Sequence, residues 1–232
     1  MKILAIILAR GGSQRIPRKN IVRLGGVPLI AHTIRAAKKS KYIDRIIVST
    51  DDLDIGAAAK RYGAEVPFYR PADISRWSSS EHEALKHALD WLKKNEKYKP
   101  DIVVKLFPTS PFRKTASIDR CIELLADDWN SDSVRSIRRC KEHPYKMWTI
   151  VNGKLKRFVD TEKESHTLSY QLLPTIYVNN ASIDITKPST IYKKHSVTGT
   201  DIIPYLMDEE ESFDINTMQD LEIARLLWRS KR

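Results

Sequence analysis

The sequence predicts an α/β fold: a doubly wound, mostly parallel sheet with a β-rich arm inserted late in the chain. Three observations carry this. Apolar runs of strand length alternate four times with stretches of helical periodicity, the pattern of a parallel sheet covered on both faces. The first run, Ile3–Leu8, contains no charge and no turn residue, as a strand buried on both faces requires. Past about residue 132 the rhythm changes, and strand-like segments follow one another without full helices between them.

Ile3–Leu8 opens the sheet. Residues 28–40 follow as a helix with Leu29, Ile30, Thr33, Ile34 and Ala37 on one face, a proline at its start and lysines at its end. Residues 45–50 are a second buried strand. Asp51 and Asp52 stand at its carboxyl end, where they either face a ligand crevice or open the next helix, 53–62. Residues 66–69 read as a short third strand. Ser80 and Glu83 form a capping box for a helix running to residue 94 that buries Ala84, Leu85, Ala88, Leu89 and Leu92. Residues 101–107 are the fourth strand, closed by Pro108-Thr109-Ser110-Pro111, and a helix over 115–126 buries Ile118, Cys121, Ile122 and Leu125. Strands are then expected over 133–139, 147–151, 155–159 and 176–185. Within a single domain spanning 1–232, residues 140–190 are read as the arm, and its partly exposed apolar positions point to a partner subunit. The chain returns through 201–205 and Phe213-Asp214-Ile215 to a helix over 217–228.

The loop after the first strand is where chemistry concentrates. Residues 9–20 hold four cations (Arg10, Arg15, Arg18 and Lys19), the adjacent Gly11 and Gly12, one proline and no acid. Paired glycines let backbone N–H groups approach a ligand closely. A cationic, glycine-turned loop leaving a buried strand is how an α/β protein holds a polyphosphate. Neither G-x-x-x-x-G-K-[ST] nor G-x-G-x-x-G is present, which excludes a P-loop or a dinucleotide fingerprint.

The net charge of +11 is spread along the chain rather than clustered, and fits attraction of a small anionic substrate better than nucleic-acid binding. No apolar run is long enough to span a bilayer and no secretory signal is visible, so no membrane partner is expected. Cys121 and Cys140 have no metal-ligand spacing and are expected as buried thiols in a reduced cytoplasm. The histidines share no metal spacing either.

The stretch Leu8-Ala9-Arg10-Gly11-Gly12-Ser13-Gln14-Arg15-Ile16-Pro17-Arg18-Lys19-Asn20 resembles the opening motif of the acylneuraminate cytidylyltransferases, the CMP-sialic acid synthetases, and their pseudaminic and legionaminic acid relatives. The resemblance extends over nearly the whole chain. It implies a nucleotidyltransferase-like, Rossmann-type fold and a homodimer joined through the arm. The expected reaction transfers CMP from CTP to the anomeric hydroxyl of an acidic keto-sugar, releasing pyrophosphate with Mg²⁺ as cofactor. It places Arg10, Gly11, Gly12, Ser13, Asn20, Arg70 and Ser79 against the nucleotide, with Arg10, Lys19 and Gln171 as catalytic residues. Thr109, Ser110, Gln171 and Asn180 fall to the sugar, and Asp214 and Asn216 to the metal. For Arg70 and Ser79 the residues alone also allow loop ordering and capping, and Asn216 also suits a helix N-cap.

The departures from the family pattern are specific. Gln14 replaces a Lys, Glu81 a nucleotide-contacting Ser, and Phe107 a Gln. Ser169 and Tyr170 stand where arginines are expected near the sugar carboxylate; Ala181 replaces a Gly, Asp184 a Tyr, and Asn216 the second metal carboxylate. The sugar half is thus altered more than the nucleotide half. Two alternatives stay open on these grounds: a cytidylyltransferase for 3-deoxy-manno-octulosonate, and a nucleotide-binding protein without turnover.

Overall fold

The computed structural model describes residues 1–160 and 164–230. Its centre is a six-stranded sheet built from β1 (Ile3–Leu8), β4 (Arg45–Ser49), β5 (Ile102–Leu106), β6 (Ser133–Arg139), β9 (Tyr177–Thr186) and β10 (Ile202–Leu206). Two short ladders stand apart from it: β2 (Arg23–Leu24) with β3 (Val27–Pro28), and β7 (Trp148–Val151) with β8 (Lys154–Arg157). The helices are α1 (Leu29–Lys38), α2 (Leu53–Arg61), α3 (Glu81–Glu96), α4 (Thr115–Asp127), α5 (Pro188–Lys193) and α6 (Met218–Ser230).

Strand order is β10-β6-β9-β5-β1-β4. β1 pairs in parallel with both β4 and β5, and β10 with β6, whereas β9 runs antiparallel to β5 and β6. The alternation of strand faces explains why β1 has no polar residue. Ile3, Ala5 and Ile7 pack under α1, α2 and α4, while Leu4, Ile6 and Leu8 pack under α3 and α5. A third cluster joins Ile16, Leu24 and Leu29 to Ile215, Leu221 and Ala224, so α6 clamps the end of the first loop. Gly25 serves this contact: its φ is +58° and a Cβ there would sit 2.0 Å from Trp228 Nε1.

β1 lies between β4 and β5, and the chain leaves toward opposite faces on its two sides. Its carboxyl end is therefore the switch point at which open α/β sheets form a ligand crevice.

The structure differs from the sequence expectation in three places. Residues 66–69 form no strand; only Glu65 bridges to Ile47, because Pro67 cannot donate to a ladder. The arm is smaller than 140–190. Residues 148–157 make a separate hairpin, but Tyr177–Thr186 is a central strand of the main sheet, and residues 161–163 of that span lie outside the described residues. Asn216 is not the N-cap of the last helix. Thr217 Oγ1 accepts from Asp220 N–H at 3.2 Å while Asp220 Oδ2 accepts from Thr217 N–H at 2.8 Å, a reciprocal cap one residue later.

Candidate active site

At the carboxyl ends of β1 and β5 lies a cleft of about 490 Å³, a size suited to a nucleotide. The loop after β1 lines it with Arg10, Ser13, Gln14, Arg15, Lys19 and Asn20. The segment before α3 contributes Arg70, Arg76, Trp77, Ser79, Ser80 and Glu81. Phe107, Pro108 and Thr109 come from the end of β5, Ala181 from β9, and Asp214 and Asn216 from the turn before α6. Five cations thus face two acids, Glu81 and Asp214.

Three of these cations are each held differently. Arg10 Nη1 donates to the Arg76 carbonyl at 2.9 Å, joining the first loop to the segment before α3. The buried Asn20 donates through Nδ2 to the Arg10 carbonyl at 2.8 Å and so sets that residue's backbone. Lys19 Nζ donates to the Ile215 carbonyl at 3.1 Å and to Asn216 Oδ1 at 3.3 Å. Burial pushes its ammonium below the usual lysine range, Arg15 and Arg10 act in the same sense, and Asp214 opposes them. Such an ammonium is short of anionic partners, which phosphate would supply. Arg70 is buried and donates through Nε to Ser49 Oγ at 3.0 Å and through Nη2 to the Ser49 carbonyl. Burial pushes its guanidinium down as well.

The acidic corner is built around Asp214. Its Oδ2 accepts from Asn216 Nδ2 at 2.6 Å, while its Oδ1 is buried without a hydrogen-bond partner. A buried, unpartnered carboxylate oxygen beside a cationic cleft is a hard donor suited to a divalent cation. The Asn216 oxygen is already taken by Lys19. Among the described residues no group of three or more His, Cys, Asp or Glu could hold a metal by itself.

The remaining residues singled out from the sequence divide by position. Ser13, Ser79 and Thr109 line the cleft. Ser79 Oγ also accepts from Arg76 N–H at 3.0 Å, ordering its own loop. Gly11 and Gly12 are not among the lining residues. Gly11 N–H donates to Asp51 Oδ1 at 2.9 Å, and a Cβ there would stand 2.9 Å from Asp52 Oδ2, so this glycine permits close approach of an acid. Asp52 in turn caps α2. Ser110 is buried behind the cleft with its hydroxyl unpartnered. Asn180 is buried in a polar network, accepting from Ser136 Oγ at 2.6 Å and donating to Ser212 Oγ at 2.9 Å. Gln171 sits on a short exposed 3₁₀ turn, Tyr170–Leu172, away from the cleft lining.

Sequence reasoning missed the framework behind the cleft. Arg113 is buried, donating through Nε to the Ser182 carbonyl at 2.8 Å, through Nη1 to Thr33 Oγ1 at 3.1 Å and through Nη2 to the Phe107 carbonyl at 2.9 Å. Burial pushes it down to about 10, with Asp214, Glu211 and Asp184 opposing. Lys105, inside β5, was also missed, although a lysine within Ile102-Val103-Val104-Lys105-Leu106 is the kind of signal that marks a buried charge. Ala181 adopts φ +52°, the left-handed region where the family resemblance expects glycine, beside a register shift in the β6–β9 ladder.

A family model described as cytidylyltransferase matches residues 4–231. The chain belongs to the cytidylyltransferase family. As a member it is a CTP-dependent nucleotidyltransferase by class, which accounts for a cationic cleft at the sheet's switch point. The CMP-N,N'-diacetyllegionaminic acid synthase of Legionella pneumophila is 35% identical over 230 residues, covering 98% of this chain and 96% of that protein. The pseudaminic acid cytidylyltransferase of Campylobacter jejuni (serotype O:23/36, strain 81-176) is 32% identical over 235 residues, covering 99% and 97%. Among solved structures, a CMP:2-keto-3-deoxy-manno-octonic acid synthetase complexed with CTP superposes with a TM-score of 0.73 at 16% identity over the full length of both chains, which establishes the shared fold. Among the described residues no helix is long and apolar enough to cross a membrane.

Proposed function

We propose that this cytidylyltransferase transfers CMP from CTP to the anomeric hydroxyl of an acidic nine-carbon keto-sugar of the nonulosonic class, releasing pyrophosphate. The observation that carries the reading is the meeting of Arg10, Arg15 and Lys19 with the unpartnered Asp214 Oδ1 in one cleft. Full-length similarity to the legionaminic and pseudaminic acid enzymes supports the sugar class.

In this reaction the sugar hydroxyl oxygen bonds to the α-phosphorus, and the bond from that phosphorus to the oxygen bridging to the β-phosphate breaks. Pyrophosphate departs with the electron pair, and the hydroxyl proton passes to solvent. The protein's part is positioning and charge neutralisation. Arg10 and Lys19 face the triphosphate and stabilise the charge that develops on it. Arg70 and Ser79 line the nucleotide end, Asn20 holds the Arg10 backbone in place, and Thr109 lies toward the acceptor. Mg²⁺ fits the donor set: Asp214 would hold it through Oδ1, with phosphate oxygens completing the shell and Asn216 as a neighbour engaged by Lys19. When bound, the ion neutralises phosphate charge.

The arm supports a homodimer. On it Trp148, Ile150, Leu155, Phe158, Tyr170 and Leu172 are all exposed, and a two-stranded hairpin is marginal alone in water. Gln171, between Tyr170 and Leu172, belongs to the surface that a second copy would cover. Both thiols are free, Cys121 buried but Cys140 only half-buried, against the expectation of two buried thiols; free thiols and a nucleotide substrate fit a cytoplasmic setting.

The test is pyrophosphate release from CTP and Mg²⁺ over a panel of nine-carbon and eight-carbon acid sugars. Release with nonulosonic acids is expected. Release only with the eight-carbon sugar, or with none, overturns the reading.

A further inference from the structure

Three charges lie in one row across adjacent strands. Lys105 on β5 stands in register with Asp184 on β9, and Asp184 with Arg135 on β6. Lys105 is only 2% exposed in a strand whose other residues are apolar. Its Nζ lies 2.7 Å from Asp184 Oδ2, and Arg135 Nε donates to Asp184 Oδ1 at 2.9 Å. One buried carboxylate therefore answers two cations, and an uncompensated charge at this depth is strongly destabilising. Glu81, the first residue of α3, supplies the fourth charge by accepting from Lys105 Nζ through Oε2. Helix capping does not explain Glu81, because Glu83 fills the capping box with Ser80.

Only Glu81 of this set lines the cleft. Its side chain is 41% exposed, and its Oε1 makes no hydrogen bond among the described residues. The other charged side chains that the segment leading into α3 adds to the lining, Arg70 and Arg76, are donors, suited to phosphate or carboxylate. A sugar hydroxyl also requires an acceptor for its hydrogen, and an ionised carboxylate can only accept. Lys105 fixes one carboxylate oxygen from below and so prevents the group from swinging onto the cleft arginines.

We infer that Glu81 is a specificity residue whose free Oε1 accepts hydroxyl hydrogens of a sugar ring, belonging either to the ribose of the nucleotide or to the acidic acceptor sugar. The inference rests on the nucleotidyl-transfer reading given above. It joins Glu81 and Asp184, two departures from the family pattern that lie far apart in sequence, into a single device with Lys105.

Two variants test it: Glu81→Ala, and the double variant Lys105→Met with Glu81→Ala, which removes both members of the ion pair together and guards against loss of folding. Calorimetry measures CTP and 2′,3′-dideoxy-CTP binding, and pyrophosphate release gives KM for the acid sugar. A lost charge-assisted hydrogen bond corresponds to a change of about ten- to a hundredfold. If ribose is the ligand, CTP binding weakens by that factor in both variants while dideoxy-CTP binds equally to all three proteins. If the acceptor sugar is the ligand, CTP binding is unchanged and the sugar KM rises by that factor in both variants. Wild-type CTP affinity and sugar KM in the folded double variant reduce Glu81 to a counter-ion for Lys105 and overturn the inference. Should the wild-type protein turn over no acid sugar, the proposed function fails. The nucleotide arm then decides for Glu81, with equal CTP affinities overturning its role.

Discussion

The cleft and the arm are built on different principles. The cleft end rests on the sheet: Arg70 reaches back to Ser49, Lys19 to the turn before α6, and Arg113 ties the end of β5 to β9 and α1. The arm end rests on almost nothing. All four residues of β7 are exposed, as are the first three of β8, and Ile150 is 77% exposed. The cleft is therefore preorganised by buried polar bonds within one chain, whereas the hairpin lacks a core and depends on what covers it. The cationic cleft and the exposed arm are thereby separated, and changes at one end should leave the other intact.

The largest expected effect lies at the cleft. Lys19→Ala should lower the rate of pyrophosphate release by about 10²–10³, the usual cost of removing one transition-state donor, without lowering the melting temperature. Next is Arg113→Ala, which strands the Ser182 carbonyl at about 1–3 kcal/mol and leaves the Phe107 carbonyl to Thr33 Oγ1 alone. The lower half of that range, roughly 1–2 kcal/mol by urea unfolding, is expected because the buried cation's own desolvation cost is removed with it. An arm that stays equally exposed to protease in this variant would sharpen the separation.

A smaller effect concerns acid. His32 is buried, its Nε2 at 3.0 Å from the Leu24 carbonyl and its ring 4.8 Å edge-on to Trp228. Burial pushes its imidazole below the usual 6.5. The unfolded chain therefore binds that proton more readily, so the stability His32 contributes is present above pH 6.5 and is lost as pH falls through the lowered value. The slope of unfolding free energy between pH 7 and 5 should flatten in His32→Gln. The smallest effect on the monomer is expected at the arm. Ile150→Ser with Leu155→Ser should change unfolding free energy by no more than about 0.5 kcal/mol per site while abolishing the proposed dimer by ultracentrifugation. A large loss of monomer stability would break the contrast between the two ends.

Much of the cleft end was legible in the sequence, because its signals are local. Ile3–Leu8 could only be a buried strand, and a loop with four cations beside it could only face a crevice or solvent. The rest depended on strand order and direction, which composition does not encode. Tyr177–Thr186 reads as part of an arm until its pairing with β5 and β6 is known. Asn180 matches a sugar-side motif, yet the bulge beside Ala181 turns its amide into a buried network. Lys105, Asp184 and Arg135 become one row only through register across three strands.

The central claim is that the loop after β1 grips a nucleoside triphosphate. Melting temperature measured against CTP with Mg²⁺, for the wild-type protein and Lys19→Ala, tests it most directly. At a hundredfold excess over Kd the wild-type protein should gain about 5–10 °C, with most of that gain absent in Lys19→Ala at the same concentration. A wild-type melting temperature that CTP leaves unmoved would contradict the account.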